Sequence, residues 1–251
     1  MAAFEKFARV YDLFMEEVPY EEWVDYIERI FEMNQLSVKT LLDLGCGTGT
    51  MSVLFAQKNY EVIGIDLSED MLSVAKEKSI AKELDILYLN QDMTEFELYG
   101  TVDAIISVCD SLNYILKEDD LLKTFELVNN YLNADGLFIF DLNTEFKFRD
   151  SLSDNTFATT FESEAYVWEN FYDAEEKTNV YCVNFFEKQK DSELYERFEE
   201  VHYQRCYSTE EVVGLLTKSG LKILNIYKAF TFEKADDKSE RVYFVARKDS
   251  K

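Results

Sequence analysis

Three glycines at alternate positions, Gly45, Gly47 and Gly49, follow closely on an acid in the run Leu41-Leu42-Asp43-Leu44-Gly45-Cys46-Gly47-Thr48-Gly49-Thr50. Glycines allow a backbone to approach a ligand closely, and the free N–H groups of a helix start favour an anionic group. A glycine loop between a strand and a helix therefore suits a nucleotide-type cofactor. Two further acids close later apolar runs: Asp66 ends Tyr60-Glu61-Val62-Ile63-Gly64-Ile65-Asp66, and Asn90-Gln91-Asp92-Met93 follows the run 84–89. A carboxylate at the second strand tip, about 20 residues past the first glycine, can accept both hydroxyls of a ribose. Asp92 could accept from an adenine amino group, with Leu67 and Met93 on either side of the ring. Each acid alone is more often a helix cap or a surface group; the pair at consecutive strand ends is what favours a site.

The elements that must carry these residues follow from periodicity. Residues 39–44, 60–66, 84–89, 101–108 and 137–142 read as short buried strands. Helices are expected over 51–58, over 71–78 behind an N-cap at Ser68 with Glu69 and Asp70 in its first turn, and over 119–132, where Leu121, Leu122, Phe125, Val128 and Leu132 share a face. Asn133-Ala134-Asp135-Gly136 should turn the chain into the fifth strand. Strand and helix in alternation predict a doubly wound, mostly parallel sheet.

Before this unit, residues 1–34 predict two helices, one with Phe4, Phe7, Ala8, Tyr11, Phe14 and Met15 at helical spacing and, after Pro19, one with Trp23, Val24, Ile27, Ile30 and Phe31. They read as a cover for the main domain, or as the source of a tyrosine, Tyr11 or Tyr20, that reaches over the ligand. Past Asn143 the pattern changes to aromatic-rich runs of period two over 156–207, with turns at Asp173-Ala174-Glu175-Glu176-Lys177 and Lys188-Gln189-Lys190-Asp191-Ser192, which predicts an inserted antiparallel sheet. Ser208 and Glu211 then form a capping box for a helix reaching Gly220, and strands over 221–230 and 241–246, joined by a polar link, complete seven strands.

Composition narrows the function. The chain has 251 residues, 47% of them apolar, with 50 acids against 26 bases and a net charge of −24, so clustered cations for phosphate contacts are missing and no nucleic-acid partner is expected. Cys46, Cys109, Cys182 and Cys206 are widely spaced with no CxxC pair, so neither a disulfide framework nor a metal site is expected, and reduced thiols suit the cytoplasm. No apolar run approaches the ~20 residues of a membrane span, and no secretory apolar core opens the chain.

The nicotinamide fingerprint would place its third glycine where Thr50 stands, and no lysine follows the glycines as in a triphosphate-binding loop. Asp43-x-Gly45-x-Gly47-x-Gly49, with Asp66 and Gln91-Asp92, resembles the class I S-adenosylmethionine-dependent methyltransferases. The resemblance implies an α/β, Rossmann-like seven-stranded sheet with a β lid, and S-adenosyl-L-methionine as cofactor. It also implies a division into cover helices (1–34), a cofactor-binding domain (35–145 and 208–251) and an inserted lid holding the acceptor (146–207). Residue by residue, Gly45, Cys46 and Gly47 with Asp43 would face the methionine part, Asp66 the ribose, and Leu67, Gln91, Asp92 and Met93 the adenine. Val108 ends the fourth strand beside the transferred methyl, and Tyr11 is a candidate cover. The proline motif of base and glutamine methyltransferases is missing after the fourth strand, whose continuation is Cys109-Asp110-Ser111-Leu112-Asn113-Tyr114. A small-molecule acceptor is therefore expected, bound by a monomer or homodimer; a protein or peptide acceptor, or a non-catalytic cofactor-binding module, is the alternative. Within the lid, Val201-His202-Tyr203-Gln204-Arg205-Cys206-Tyr207 places His202, Gln204 and Cys206 on one face and Tyr203, Arg205 and Tyr207 on the other. His202 is a candidate base or substrate ligand and Arg205 a candidate anion anchor. Tyr166, Trp168, Phe171, Tyr172 and Tyr181 are expected to form the lid's own core.

Overall fold

The computed structural model describes residues 7–16, 18–189 and 192–249. Two helices open it, α1 (Phe7–Phe14) and α2 (Tyr20–Met33), separated at Pro19; Phe4 lies outside the described residues. There follow β1 (Thr40–Leu44), α3 (Thr50–Gln57), β2 (Glu61–Asp66), α4 (Glu69–Ala81), β3 (Leu87–Asn90), β4 (Val102–Ser107), α5 (Glu118–Tyr131) and β5 (Leu132–Asn143). Four strands of a second sheet intervene, β6 (Thr156–Thr160), β7 (Glu164–Asp173), β8 (Thr178–Lys188) and β9 (Tyr195–Arg205), before α6 (Thr209–Lys218), β10 (Leu221–Lys228) and β11 (Arg241–Lys248).

The main sheet runs β10-β11-β5-β4-β1-β2-β3. β1 to β5 pair in parallel, whereas β11 is antiparallel to both β5 and β10. Strands leave β1 in opposite directions toward β2 and β4, and a crevice opens beyond the carboxyl ends at such a switch point.

Alternation along the strands supplies a core to each face. Leu42, Ile105, Phe138 and Phe244 pack with α5 and α6, while their neighbours Leu41, Ile106, Ile139 and Tyr243 pack with α2 and α3. Each such side chain contributes about 1.5–3 kcal/mol on burial. Local signals start the helices where expected: Ser68 Oγ accepts from the Met71 N–H at 3.2 Å, and Ser208 and Glu211 cap each other at 3.2 and 2.7 Å.

Several boundaries differ from expectation, β3 for example starting at Leu87 and α4 reaching Ala81, and two of the differences have a local cause. The turn at 133–136 lies inside β5, as a bulge between the pairs Val102↔Leu132 and Ala104↔Leu137, with Asp135 at φ 62°. Gly136 allows it, because a Cβ there would meet the Asn133 and Asp103 carbonyls at 2.9 Å. β10 stops at Lys228 because Phe230 takes a positive φ of 58° and packs on Trp23, ring centroids 5.3 Å apart.

The second sheet is antiparallel in the order β6-β7-β8-β9. Its β7–β8 turn is closed by Asp173, whose carboxylate accepts from the N–H groups of Glu175 and Glu176 at 2.9 and 3.1 Å. Of the other expected turn, Lys190 and Asp191 lie outside the described residues. One face of this sheet carries Tyr166, Trp168, Tyr181, Val183, Phe185, His202 and Gln204 toward the crevice of the main sheet. Among the described residues no helix is long and apolar enough to cross a membrane.

Candidate active site

At the tip of β1 the Asp43 carboxylate is buried and accepts from the Ser52 hydroxyl at 2.6 Å. Burial pushes its pKa up to about 7, against the Ser52 bond and helped by the nearby Asp66 charge. The glycine loop is tied to β2: the Gly45 and Cys46 N–H groups both donate to the Ile65 carbonyl, at 2.8 and 2.9 Å. Asp66 then holds the loop from the side, one oxygen accepting from the Gly47 N–H and the other from the Ser68 N–H, both at 2.8 Å. Gly45 sits at φ +79°, and a Cβ there would lie 2.8 Å from Ser111 Cβ.

The tip of β3 is ordered by its own side chains. Asn90 donates to the Leu67 carbonyl at 2.8 Å, and the Gln91 amide carbonyl accepts from the Glu97 N–H at 2.7 Å. One oxygen of Asp92 accepts from the N–H and hydroxyl of Thr94, each at 2.8 Å. Leu67 remains 68% exposed, an apolar side chain at the rim without a core to bury it.

Beyond β4, Cys109 and Asp110 both take left-handed backbone conformations, φ 63° and 54°, which are uncommon for residues with a Cβ. Burial pushes the Cys109 thiol up to about 12, so it stays protonated, with the Tyr11 hydroxyl 3.9 Å from its sulfur. The bend is held by a charge network that includes Arg241 at the start of β11. Arg241 donates to Asp110 at 2.6 Å and also pairs with Asp141 of β5. Although burial opposes the guanidinium charge, the two carboxylates hold its pKa well above the usual value. From the second sheet, the Gln204 amide donates to Asp110 at 2.6 Å and accepts from the Tyr181 hydroxyl at 2.8 Å.

These strand tips, α1 and the second sheet enclose one cavity of about 1240 Å³. Every residue that the sequence assigned to the cofactor borders it: Tyr11, Val108, the acids Asp43, Asp66 and Asp92, the loop Gly45, Cys46 and Gly47, and Leu67, Gln91 and Met93. His202 borders it too, its ring edge-on to Tyr114 with centroids 5.9 Å apart and its imidazole pKa lowered by burial.

Arg205 does not. Its guanidinium donates to the Leu116 carbonyl at 3.1 Å and lies over the Tyr207 ring, 4.7 Å from the centroid, so it braces the base of the second sheet. The aromatic residues of that sheet bear out the expected core in part, since Trp168, Tyr172 and Tyr181 cluster with Phe148 and Leu152. Tyr166, Trp168 and Tyr181 line the cavity, Phe171 is 53% exposed on the opposite face, and Tyr172 packs on Phe148. Asp110, Gln204, Arg241 and Lys147 border the cavity without having been singled out. Asp110 could have been, since it follows the fourth strand; nothing local marks Arg241, 131 residues away.

A methyltransferase-domain family profile matches residues 41–136. The protein YqeM of Bacillus subtilis (strain 168) is 37% identical over 246 residues, covering 98% of this chain and 97% of its own. A crystal structure of an S-adenosylmethionine-dependent methyltransferase from Clostridium acetobutylicum ATCC 824 is 32% identical, covers 99% of this chain and 100% of its own, and superposes with a TM-score of 0.88. The chain belongs to the class I S-adenosylmethionine-dependent methyltransferases. The sugar N-methyltransferase KedS8 of Streptoalloteichus sp. ATCC 53650 shares the fold of this methyltransferase at 18% identity, with a TM-score of 0.80 over 96% of this chain and 93% of its own. S-adenosylmethionine is accordingly the methyl donor, and the cavity fits such a group: Gly47 borders it with nothing within 4 Å of where a Cβ would stand, and the carboxylates of Asp66 and Asp92 border it as acceptors for hydroxyl and amino groups.

Proposed function

We propose that this methyltransferase transfers a methyl group to an amine or hydroxyl of a small molecule bound under the second sheet. The observation that carries the reading is the continuity of the cavity: the strand tips bearing Asp43, Asp66 and Asp92 and the aromatic wall of Tyr166, Trp168 and Tyr181 border the same space. Residues 146–207 act as the acceptor lid and the N-terminal helices as a cover. The name of a relative from Streptomyces venezuelae, a dTDP-3-amino-3,4,6-trideoxy-alpha-D-glucopyranose N,N-dimethyltransferase 30% identical over 135 residues, supports an amine acceptor, as does that of KedS8. Four free thiols suit a reducing compartment such as the cytoplasm.

In this reading Asp66 takes the ribose, Asp92 with Gln91 and the flanking Leu67 and Met93 take the adenine, and Gly45 to Gly47 with Asp43 face the methionine part. The bound cofactor supplies a methyl group already activated by its sulfonium. The chain then has to align the acceptor, exclude water and stabilise developing charge. Asp110, fixed by Arg241 and Gln204, borders the cavity as a hydrogen-bond acceptor for an attacking amine as it becomes cationic. His202, neutral near pH 7 because burial lowers its pKa, can take the proton of a hydroxyl acceptor.

The test is methyl transfer from labelled S-adenosylmethionine to a panel of small amines and alcohols. Label on small molecules supports the proposal. Label only on macromolecules of a lysate, or tight cofactor binding with no transfer to either, overturns it.

A further inference from the structure

Lys147 stands on the helical turn Lys147–Leu152, just past β5, and borders the cavity where β4, β11 and the second sheet meet. Its charged neighbours are Arg241, Asp110 and Asp141. Both of those acids are already engaged by Arg241. The Lys147 ammonium makes one hydrogen bond, to Asn143 Oδ1 at 2.9 Å, and among the described residues it has no carboxylate within ion-pair distance. An ammonium has three donors, so two remain. Of the cations that border the cavity, Arg241 is paired with Asp110 and Asp141 and Lys117 is exposed, so Lys147 is the half-buried one without a carboxylate of its own among the described residues.

We propose that Lys147 anchors a carboxylate of the acceptor, so that the methylated molecule is a small carboxylic acid that also carries the amine or hydroxyl. The inference rests on the reading of this cavity as the acceptor site. A monoanion suits the surroundings: Lys147 and Arg241 balance Asp110 and Asp141, and a carboxylate adds one negative charge where a phosphate dianion would set two against buried acids. Burial pushes the ammonium below the ordinary lysine range, and an anion beside it would counter that. Trp168 and Tyr181 border the same cavity and offer apolar area to the body of such a molecule.

Calorimetry on the protein loaded with S-adenosylhomocysteine, titrated with benzoate, benzamide and phenyl phosphate, decides the matter. Benzoate should bind at least tenfold more tightly than the other two. Lys147→Met should erase the difference and Lys147→Arg retain most of it, while both variants keep the wild-type affinity for S-adenosylhomocysteine and so report an intact fold. Equal binding of benzoate and benzamide, tighter binding of phenyl phosphate, or a preference unchanged in Lys147→Met overturns the proposal. Methyl transfer to matched amino acids and amino amides tests the underlying reading separately. If neither accepts a methyl group while benzoate still depends on Lys147, the acceptor reading fails and the carboxylate site stands.

Discussion

Arg241 on the antiparallel strand β11 reaches Asp110 at 2.6 Å, and with Asp141 on the other side it fixes the backbone just beyond β4. The pair joins residues 131 positions apart in the chain. Removing the cation leaves Asp141, a residue with 0% exposure, without its ionic partner. Arg241→Met should therefore cost about 3–5 kcal/mol of stability, measured by urea denaturation. Adding Asp141→Asn should recover part of that, and a fully additive double variant would contradict the network.

The glycine loop gives a ranking. Gly45→Ala brings a Cβ to 2.8 Å from Ser111, and Gly49→Ala brings one to 2.6 Å from the Tyr88 hydroxyl, both at positive φ. At Gly47 nothing lies within 4 Å, so only φ strain of roughly 1–2 kcal/mol remains. Affinity for S-adenosylhomocysteine should fall tenfold or more in Gly45→Ala, ~1.4 kcal/mol. Gly49→Ala should lower the melting temperature most and Gly47→Ala least.

Buried carboxyls set a pH dependence of known sign. Asp43 is raised by burial to about 7, and Glu200, 5% exposed with one oxygen lacking a partner among the described residues, is raised by burial to about 7 as well. The folded state therefore holds these protons more tightly than the unfolded chain. Their contribution is complete below the ordinary carboxyl range near pH 4 and is lost as pH rises through about 7. Stability of the cofactor-free protein should fall between pH 5 and pH 8, and Asp43→Asn with Glu200→Gln should flatten the slope. A wild-type slope of opposite sign would count against both assignments.

His202 and Arg205 lie three positions apart on β9, on opposite faces, and should behave differently. Arg205→Ala loses the Leu116 bond and the Tyr207 contact, so it should lower stability by about 1–2 kcal/mol with acceptor KM within about twofold of wild type. His202→Gln, on the cavity wall, should raise acceptor KM or lower kcat while cofactor affinity holds. Steady-state kinetics beside thermal melts separate the two.

What could be read from sequence was local. Glycine spacing, acids at strand tips and the Ser68 and Ser208 caps are each written within a few residues, and their geometry follows from backbone hydrogen bonding. The alternation in 201–207 grouped His202 with Gln204, yet which face turns inward depends on the packing of the whole second sheet over the crevice. The same holds for Trp168 and Phe171, an aromatic-rich run split between cavity and solvent. Arg241 itself left no trace, because its two carboxylate partners come from β5 and the turn after β4, and the amide that also holds Asp110 comes from β9.

One short helix touches both ligand regions. Within α1, Asp12 accepts from the Thr48 hydroxyl of the glycine loop at 2.7 Å and pairs with Lys78 at 2.6 Å, while Phe14 wedges among Phe161, Tyr166 and Phe185 with centroids 4.9 to 5.5 Å away. Two positions on a single turn thus couple the floor of one compartment to the ceiling of the other. Turnover should accordingly be sequential, donor loading before acceptor, and product-inhibition patterns will reveal whether the second ligand waits for the first.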